Sequence, residues 1–222
     1  MHTVRVWDLP TRLFHWALVT AVVAQVVTGN LGGNWMNWHF RTGYAVLTLL
    51  LFRLVWGFLG GHWSRFGSFL PSPRTLLDYL RGRARPEHQV GHSPLGALSV
   101  AALLLLLLAQ AGSGLFSDDE IAFFGPLTHL VSGDTVGLAT WYHKNLGKAI
   151  LIVLIALHLL AIAYYKLFKK RALVASMWHG DKTLAAAARP ARDDARSRLL
   201  ALVVLLVCAA VVYQVVSLGS QA

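Results

Sequence analysis

One cysteine among 222 residues, Cys208, leaves no partner for an internal disulfide and too few thiolates for a four-cysteine zinc site. It also rules out a C-x-x-C-H attachment. Charge is scarce as well: 14% of residues are Asp, Glu, Lys or Arg, where a soluble domain carries about 25%. Acidic side chains are the scarcest, ten against twenty Lys and Arg. These shortages exclude a soluble globule. What fills the chain is apolar, 56% of residues, with a mean hydropathy of +0.55.

The apolar residues gather in five runs, about Leu13 to Leu31, His39 to Leu59, Leu95 to Leu115, Leu146 to Leu167 and Leu199 to Leu218. Each is long enough to cross about 30 Å of hydrocarbon as a helix. The pattern predicts an all-α membrane protein with no sizeable water-soluble part. None of the runs has the short core and small-residue cleavage site of a signal peptide, so the first helix is expected to remain in the mature chain.

The net charge of +10 does not call for nucleic acid, because its distribution has a membrane explanation. Arg5 and Arg12 precede the first run, Arg65 to Arg85 lie between the second and third, and nine further cations lie from Lys166 to Arg198. The opposite connections hold Arg41, Lys144 and Lys148 at helix mouths and Asp118, Asp119, Glu120 and Asp134 in a long loop. Basic residues concentrate in cytoplasmic connections, which predicts a cytoplasmic N-terminus and an outside C-terminus. The segment Pro73 to Leu80 reads as a short amphipathic helix. The basic, Ala-rich stretch from Ala172 to Arg198 reads as a solvated linker touching anionic lipid. The acidic loop from Ser117 to Thr140, with Phe123 and Phe124, reads as a solvated loop or a dock for a basic partner.

Four of the ten histidines, His15, His39, His143 and His158, fall on the runs or at their mouths. Ionisable groups at membrane depth are costly and functional by default, and neutral imidazole gives its lone pair to a metal. His143 and His158 are 15 residues apart, roughly 22 Å in height and about 60° in direction on an ideal helix. Following the topology, His39 matches His143 near the outside and His15 matches His158 near the inside. Two imidazoles on separate helices at one depth are what a six-coordinate haem b requires, and bundle interiors hold such cofactors.

Gly43 and Gly147 each follow an outer histidine by four residues, which removes a side chain one turn deeper where a porphyrin would approach. Glycine is also common at ordinary helix contacts. His92 and Gly96 repeat the spacing, and His92 reads as a quinone or propionate contact or as a plain residue at the helix start. Arg41 and Lys144 are placed to neutralise propionates of the outer haem. Arg53 either does the same for the inner haem or snorkels to the interface. Trp16, Trp38, Trp56, Trp63, Trp141 and Tyr142 sit at segment ends and read mostly as an aromatic belt.

An ordered set of motifs then carries a resemblance. R-L-F-H-W (12–16), T-G (28–29), H-F-R-T-G-Y (39–44), R-L-V-W-G (53–57), G-H-S-P-L-G-A-L-S (91–99) and W-Y-H-K-N-L-G (141–147) leading to L-H (157–158) resemble the bacterial cytochrome b561 family. That family includes the b-type cytochrome subunits of nickel–iron hydrogenases. The resemblance covers roughly Val4 to Lys182. It implies a four-helix transmembrane bundle core holding two bis-histidine b haems, with quinone as substrate and a redox partner such as a periplasmic c-type cytochrome. The family's axial histidines fall on His15, His39, His143 and His158. Residues 1–182 are then a di-haem membrane domain, and 183–222 a basic linker and an additional C-terminal transmembrane helix. That helix has no histidine, and partner docking, homodimerisation or anchoring are open for it.

The resulting expectation is an electron carrier of the bacterial inner membrane, exchanging electrons between the quinone pool and a periplasmic partner. A superoxide:quinone oxidoreductase is the alternative within the same class. A histidine-based proton channel or transporter and a non-redox membrane anchor are the alternatives outside it, and an absorption spectrum separates them from a haem protein.

Overall fold

A computed structural model describes residues 1–83 and 85–220. The chain is an all-α membrane protein, 73% helical, a bundle core with an additional C-terminal helix. Among the described residues, five spans are long and apolar enough to cross a membrane: Leu9–Leu31, Gly33–Leu59, Pro94–Gly114, Gly133–Leu167 and Ala195–Ser217.

The helices are α1 (Leu9–Leu31), α2 (Met36–Leu59), α3 (Phe66–Phe69), α4 (Pro73–Leu80), α5 (Pro94–Gly114), α6 (Gly133–Trp141), α7 (Lys148–Leu167), α8 (Leu173–His179) and α9 (Ala195–Ser217). Their starts follow local chemistry. The Asp8 carboxylate accepts from the Thr11 amide at 2.8 Å ahead of α1, and Ser72 caps α4 through the Thr75 amide. Asp194 caps α9 through the Ser197 amide at 2.7 Å, and each such cap satisfies an amide that no helical carbonyl reaches. The fourth span is longer than its apolar run because Ser132 caps α6, so part of the expected outer loop is helical.

The chain divides into two compact units. One comprises Met1–Phe14, Arg53–Leu103 and Leu154–Leu202; the other comprises His15–Phe52, Leu104–Val153 and the chain from Val203 onward.

In the first unit, strand β1 (His2–Arg5) pairs antiparallel with β2 (Asp181–Leu184), Arg5 opposite Asp181. The expectation of a solvated linker after Ala172 is corrected here. Arg5 grips Asp181 at 2.6 Å and Asp193 at 2.9 Å, the Ala191 amide donates to the Arg5 carbonyl at 2.7 Å, and Trp63 Nε1 donates to the Arg189 carbonyl at 2.7 Å. Val6, Trp7, Trp63, Val90 and Ala191 form a buried cluster. Ala191 is small enough to lie in that cluster and Ala188 to pack on it, while Ala185, Ala186 and Ala187 are exposed. Trp56 and Trp63 are therefore core residues and not belt residues; Trp56 is fully buried, its Nε1 donating to Asp8.

Asp8 is itself fully buried. Besides Thr11 and Trp56, its carboxylate accepts from the Gly61 amide at 3.2 Å and the Ser64 hydroxyl at 2.7 Å. A buried carboxylate is tolerated when donors surround it, and this one ties the start of α1 to the turn after α2.

In the second unit, Asp119 organises the loop after α5. Its Oδ1 accepts from the amides of Phe123, Ala122 and Ile121, and those donors, Phe123 foremost, hold its carboxyl below the usual range. Phe123 packs on Phe40 with ring centroids 6.3 Å apart, while Phe124 is exposed. On α9, which both units share, Ser197, Ala201, Cys208 and Val212 are buried while Leu199, Leu202, Leu206 and Tyr213 are exposed, as when one stripe of a membrane helix packs on protein.

Candidate functional site

The second unit brings His39 and His143 together. Their rings lie 6.0 Å apart, centroid to centroid, at 90°. Each is oriented through Nδ1: His39 Nδ1 lies 3.2 Å from the Gln25 carbonyl and His143 Nδ1 2.8 Å from the Gln110 carbonyl. A carbonyl only accepts, so Nδ1 carries the proton in both rings and Nε2 keeps its lone pair. A metal-ligating imidazole needs that tautomer. Thr28 Oγ1 and Ser113 Oγ stand 3.4 and 3.3 Å from the same two Nδ1 atoms.

The cradle is built twice. Gln25 Nε2 donates to the His39 carbonyl at 2.6 Å, and Gln110 Nε2 donates to the His143 carbonyl at 2.8 Å. A Cβ on Gly29 would lie 3.0 Å from His39 Cε1, and one on Gly114 would lie 2.9 Å from His143 Cε1. A Cβ on Gly43 would meet the Gln25 amide at 3.4 Å, and one on Gly147 would collide with the Gln110 amide oxygen. Glycine at 29 and 114 thus lets the imidazoles seat, and glycine at 43 and 147 lets the glutamines reach past them.

Gln25, Gln110, Ser113 and Gly114 carry no signal in the histidine-depth argument. A repeated pattern does mark them: Gln-x-x-Thr-Gly at 25–29 ahead of His-x-x-x-Gly at 39–43, and Gln-x-x-Ser-Gly at 110–114 ahead of His-x-x-x-Gly at 143–147. His143 lies in a π-helical turn, Tyr142–Gly147, between α6 and α7. Such widened turns occur frequently at functional sites. The turn also breaks the uniform helix assumed between His143 and His158, so their angular offset is not that of an ideal helix.

The other expected residues are placed as follows. His15 is half-buried on α1 with its ring edge-on to Trp16 at 5.0 Å. His158 is half-buried on α7 and belongs to the first unit, while His15 belongs to the second. Arg41 is exposed and lies over the Trp38 ring at 5.3 Å; Lys144 is exposed. Arg53 does not snorkel. It is 3% exposed, stacked 4.9 Å over Phe66 and 5.9 Å over Phe69, and its Nη1 meets no hydrogen-bond acceptor. Gly57 makes this possible, since a Cβ there would run into the Phe66 ring.

His92 has its ring tilted against Trp7 at 4.7 Å and against Phe69 at 4.5 Å, centroid to centroid. It lines a cleft of about 650 Å³ with Trp63, Phe69, His62 and His88. Burial, then Arg189 and Arg65, push the His62 imidazole below its ordinary value.

The donor set can be tested against haem. Two imidazoles bonded to one metal at about 2 Å each hold their ring centroids about 6 Å apart, which is the separation His39 and His143 show. Among the described residues no cluster of three or more His, Cys, Asp or Glu is suited to a metal ion. Two axial imidazoles with the remaining ligands from a macrocycle therefore fit better than an all-protein metal centre. The unpartnered Nη1 of buried Arg53 likewise fits an anionic carboxylate such as a propionate.

Such a pair in a helical membrane protein fits the membrane b-type cytochromes, which transfer electrons. The chain is a member of the prokaryotic cytochrome b561 family, whose model matches residues 6–180. No curated protein and no solved structure matches the chain.

Proposed function

We propose that this chain binds two b haems and exchanges electrons between the quinone pool and a redox partner on the opposite side of the membrane. The observation that carries the reading is the 6.0 Å separation of His39 and His143, with both Nδ1 atoms committed to backbone carbonyls. Bound haem supplies a one-electron carrier whose potential follows its axial ligands, burial and nearby charge. His39 and His143 offer Nε2 lone pairs to one iron, and His15 and His158 to the other. Arg41 and Lys144 supply positive charge beside the first pair, and Arg53 supplies it, desolvated, in the unit that holds His158.

Quinone fits the cleft at His92, where aromatic walls suit an apolar ring and the imidazoles of His62, His88 and His92 can hold or release the protons that accompany its reduction. The charge asymmetry of the connections supports a bacterial inner-membrane protein with a cytoplasmic N-terminus and a periplasmic C-terminus. The division into a haem domain, 1–182, and an appended fifth helix, 183–222, is supported by the family match ending at residue 180; residues 221 and 222 lie outside the described residues.

A reduced-minus-oxidised spectrum with pyridine haemochrome stoichiometry tests this on purified protein. Two non-covalent b haems per chain are expected. One haem defeats the di-haem assignment, and a colourless protein defeats the cytochrome reading in favour of a proton relay or an anchor.

A further inference from the structure

Where α7 ends, the chain reverses through Lys169, Lys170 and Arg171 into α8, with Lys170 at φ 52. The reversal leaves a groove of about 580 Å³ between the end of α7 and α8. Its walls are apolar, from Ile162, Leu173 and Val174, and its rim carries Lys166, Lys170 and Arg171. Among the described residues no carboxylate lines it. The ion pairs among the described residues use Arg5, Arg83 and Arg198, and none of these three cations.

The surroundings fix the setting. Leu167 is 60% exposed, Phe168 72% and Trp178 62%. Large apolar side chains exposed at the end of a membrane-spanning helix, with an amphipathic ring system beside them, mark the boundary between hydrocarbon and headgroups. A ligand there must have an apolar body to cover Ile162 and Val174 and a negative head to meet three cations that no carboxylate pairs, Arg171 lying only over the Tyr165 ring at 5.9 Å.

We propose that this groove is a binding site for an anionic diacyl phospholipid, with its phosphate among Lys166, Lys170 and Arg171 and its acyl chains along Ile162 and Val174. A zwitterionic lipid offers the same acyl chains and leaves the positive charge unbalanced. Inorganic phosphate offers the charge and leaves the apolar walls uncovered. The groove shares no lining residue with the cleft at His92, and a lipid bound there anchors the turn after α7, and through it β2, to the membrane surface.

The test uses the full chain purified in detergent, with lipid binding followed by native mass spectrometry. Dioleoylphosphatidylglycerol is expected to bind at least about tenfold more tightly than dioleoylphosphatidylcholine, given the attraction that each cation exerts on acidic lipid. Lys166→Gln, Lys170→Asn and Arg171→Gln together should abolish that preference. The control triple change Arg74→Gln, Arg81→Gln and Arg83→Gln, equal in charge, should retain it, and inorganic phosphate should not displace the lipid. An unchanged lipid-free melting midpoint certifies that the groove variant folds; if it does not, Val174→Asp alone should lower binding of both lipids. Equal affinity for the two lipids in the wild type, equal loss in the control, displacement by phosphate, or undiminished binding to Val174→Asp overturns the proposal.

Discussion

His39 and His143 face each other at 6.0 Å with their planes perpendicular, and each ring is seated against a glycine of the preceding span, Gly29 for one and Gly114 for the other. The two halves of the site are the same device used twice. A glutamine holds the histidine's carbonyl, the glutamine's own carbonyl holds Nδ1, and a glycine four residues after that glutamine clears the ring.

That device predicts which glycines matter. Gly114→Ala places a methyl 2.9 Å from His143 Cε1, closer than an ordinary contact, so the imidazole must move. Disturbing the groups that orient a metal ligand costs about 10–100-fold in affinity, and Gly114→Ala and Gly29→Ala are each expected to lower retention of the haem at His39 and His143 to that extent. Gly112→Ala is the control: nothing lies within 4 Å of its added methyl, and on the same helix it should be neutral or stabilising by up to about 1 kcal/mol. Haem-to-protein ratios after detergent washing compare the three. Equal loss in Gly112→Ala would show that the helix, not the imidazole contact, is responsible.

The apolar runs announced all five spans, because hydrocarbon imposes a length and composition that survive without any knowledge of neighbours. The nearness of His39 to His143 was legible for a related reason: topology fixes depth. The glutamines were not, since an amide that binds a neighbouring backbone has no distinctive spacing until the histidine it serves is known. The strap from Asp181 to Asp194 was hidden by composition. Basic and alanine-rich sequence looks solvated, and only the pairing of Arg5 with Asp181 and Asp193 and the fit of Ala191 against the Trp63 cluster show it to be packed.

Asp8 should be the most damaging carboxylate to remove. Asp8→Ala leaves Trp56 Nε1, the Gly61 amide and the Ser64 hydroxyl without their acceptor. Unsatisfied buried groups cost about 1–3 kcal/mol each, with partial relief from rearrangement, so a loss of roughly 3 kcal/mol or more is expected. Asp8→Asn keeps the shape but turns one donor toward donors, and should lie between. Thermal unfolding followed by size-exclusion chromatography ranks the three proteins; an Asp8→Ala protein as stable as the wild type sinks the assignment.

Lys182 gives a stability that depends on pH. Its Nζ donates to the Val90 carbonyl at 2.6 Å and the Gly91 carbonyl at 3.4 Å. Burial, with Arg171 adding to it, lowers its pKa from 10.5 to about 8. Between those two values the unfolded chain holds a proton that the folded chain has released, so stability rises with pH across that window. The wild type is expected to gain up to roughly 3 kcal/mol from pH 8 to pH 10.5 through this group, and Lys182→Met to lack that gain. Melting midpoints of both proteins across the window give the difference; parallel curves, or a wild type that loses ground as pH rises, contradict it.

The four histidines should sort into two pairs by spectrum. If His39 and His143 share one iron, His39→Ala and His143→Ala damage the same low-spin component, and His15→Ala and His158→Ala damage the other. Each change removes one of two axial bonds, so the affected haem turns high-spin or is lost while its neighbour stays low-spin. A double change within a pair adds little to either single change, because the first has already broken that centre; a double change across pairs removes both signals. Histidines held only by contacts between helices would instead give milder, roughly additive losses of stability with no partition. Low-temperature redox titration of the single and double variants separates these outcomes, and a His143→Ala protein that perturbs the component lost in His158→Ala while sparing the one lost in His39→Ala refutes the pairing.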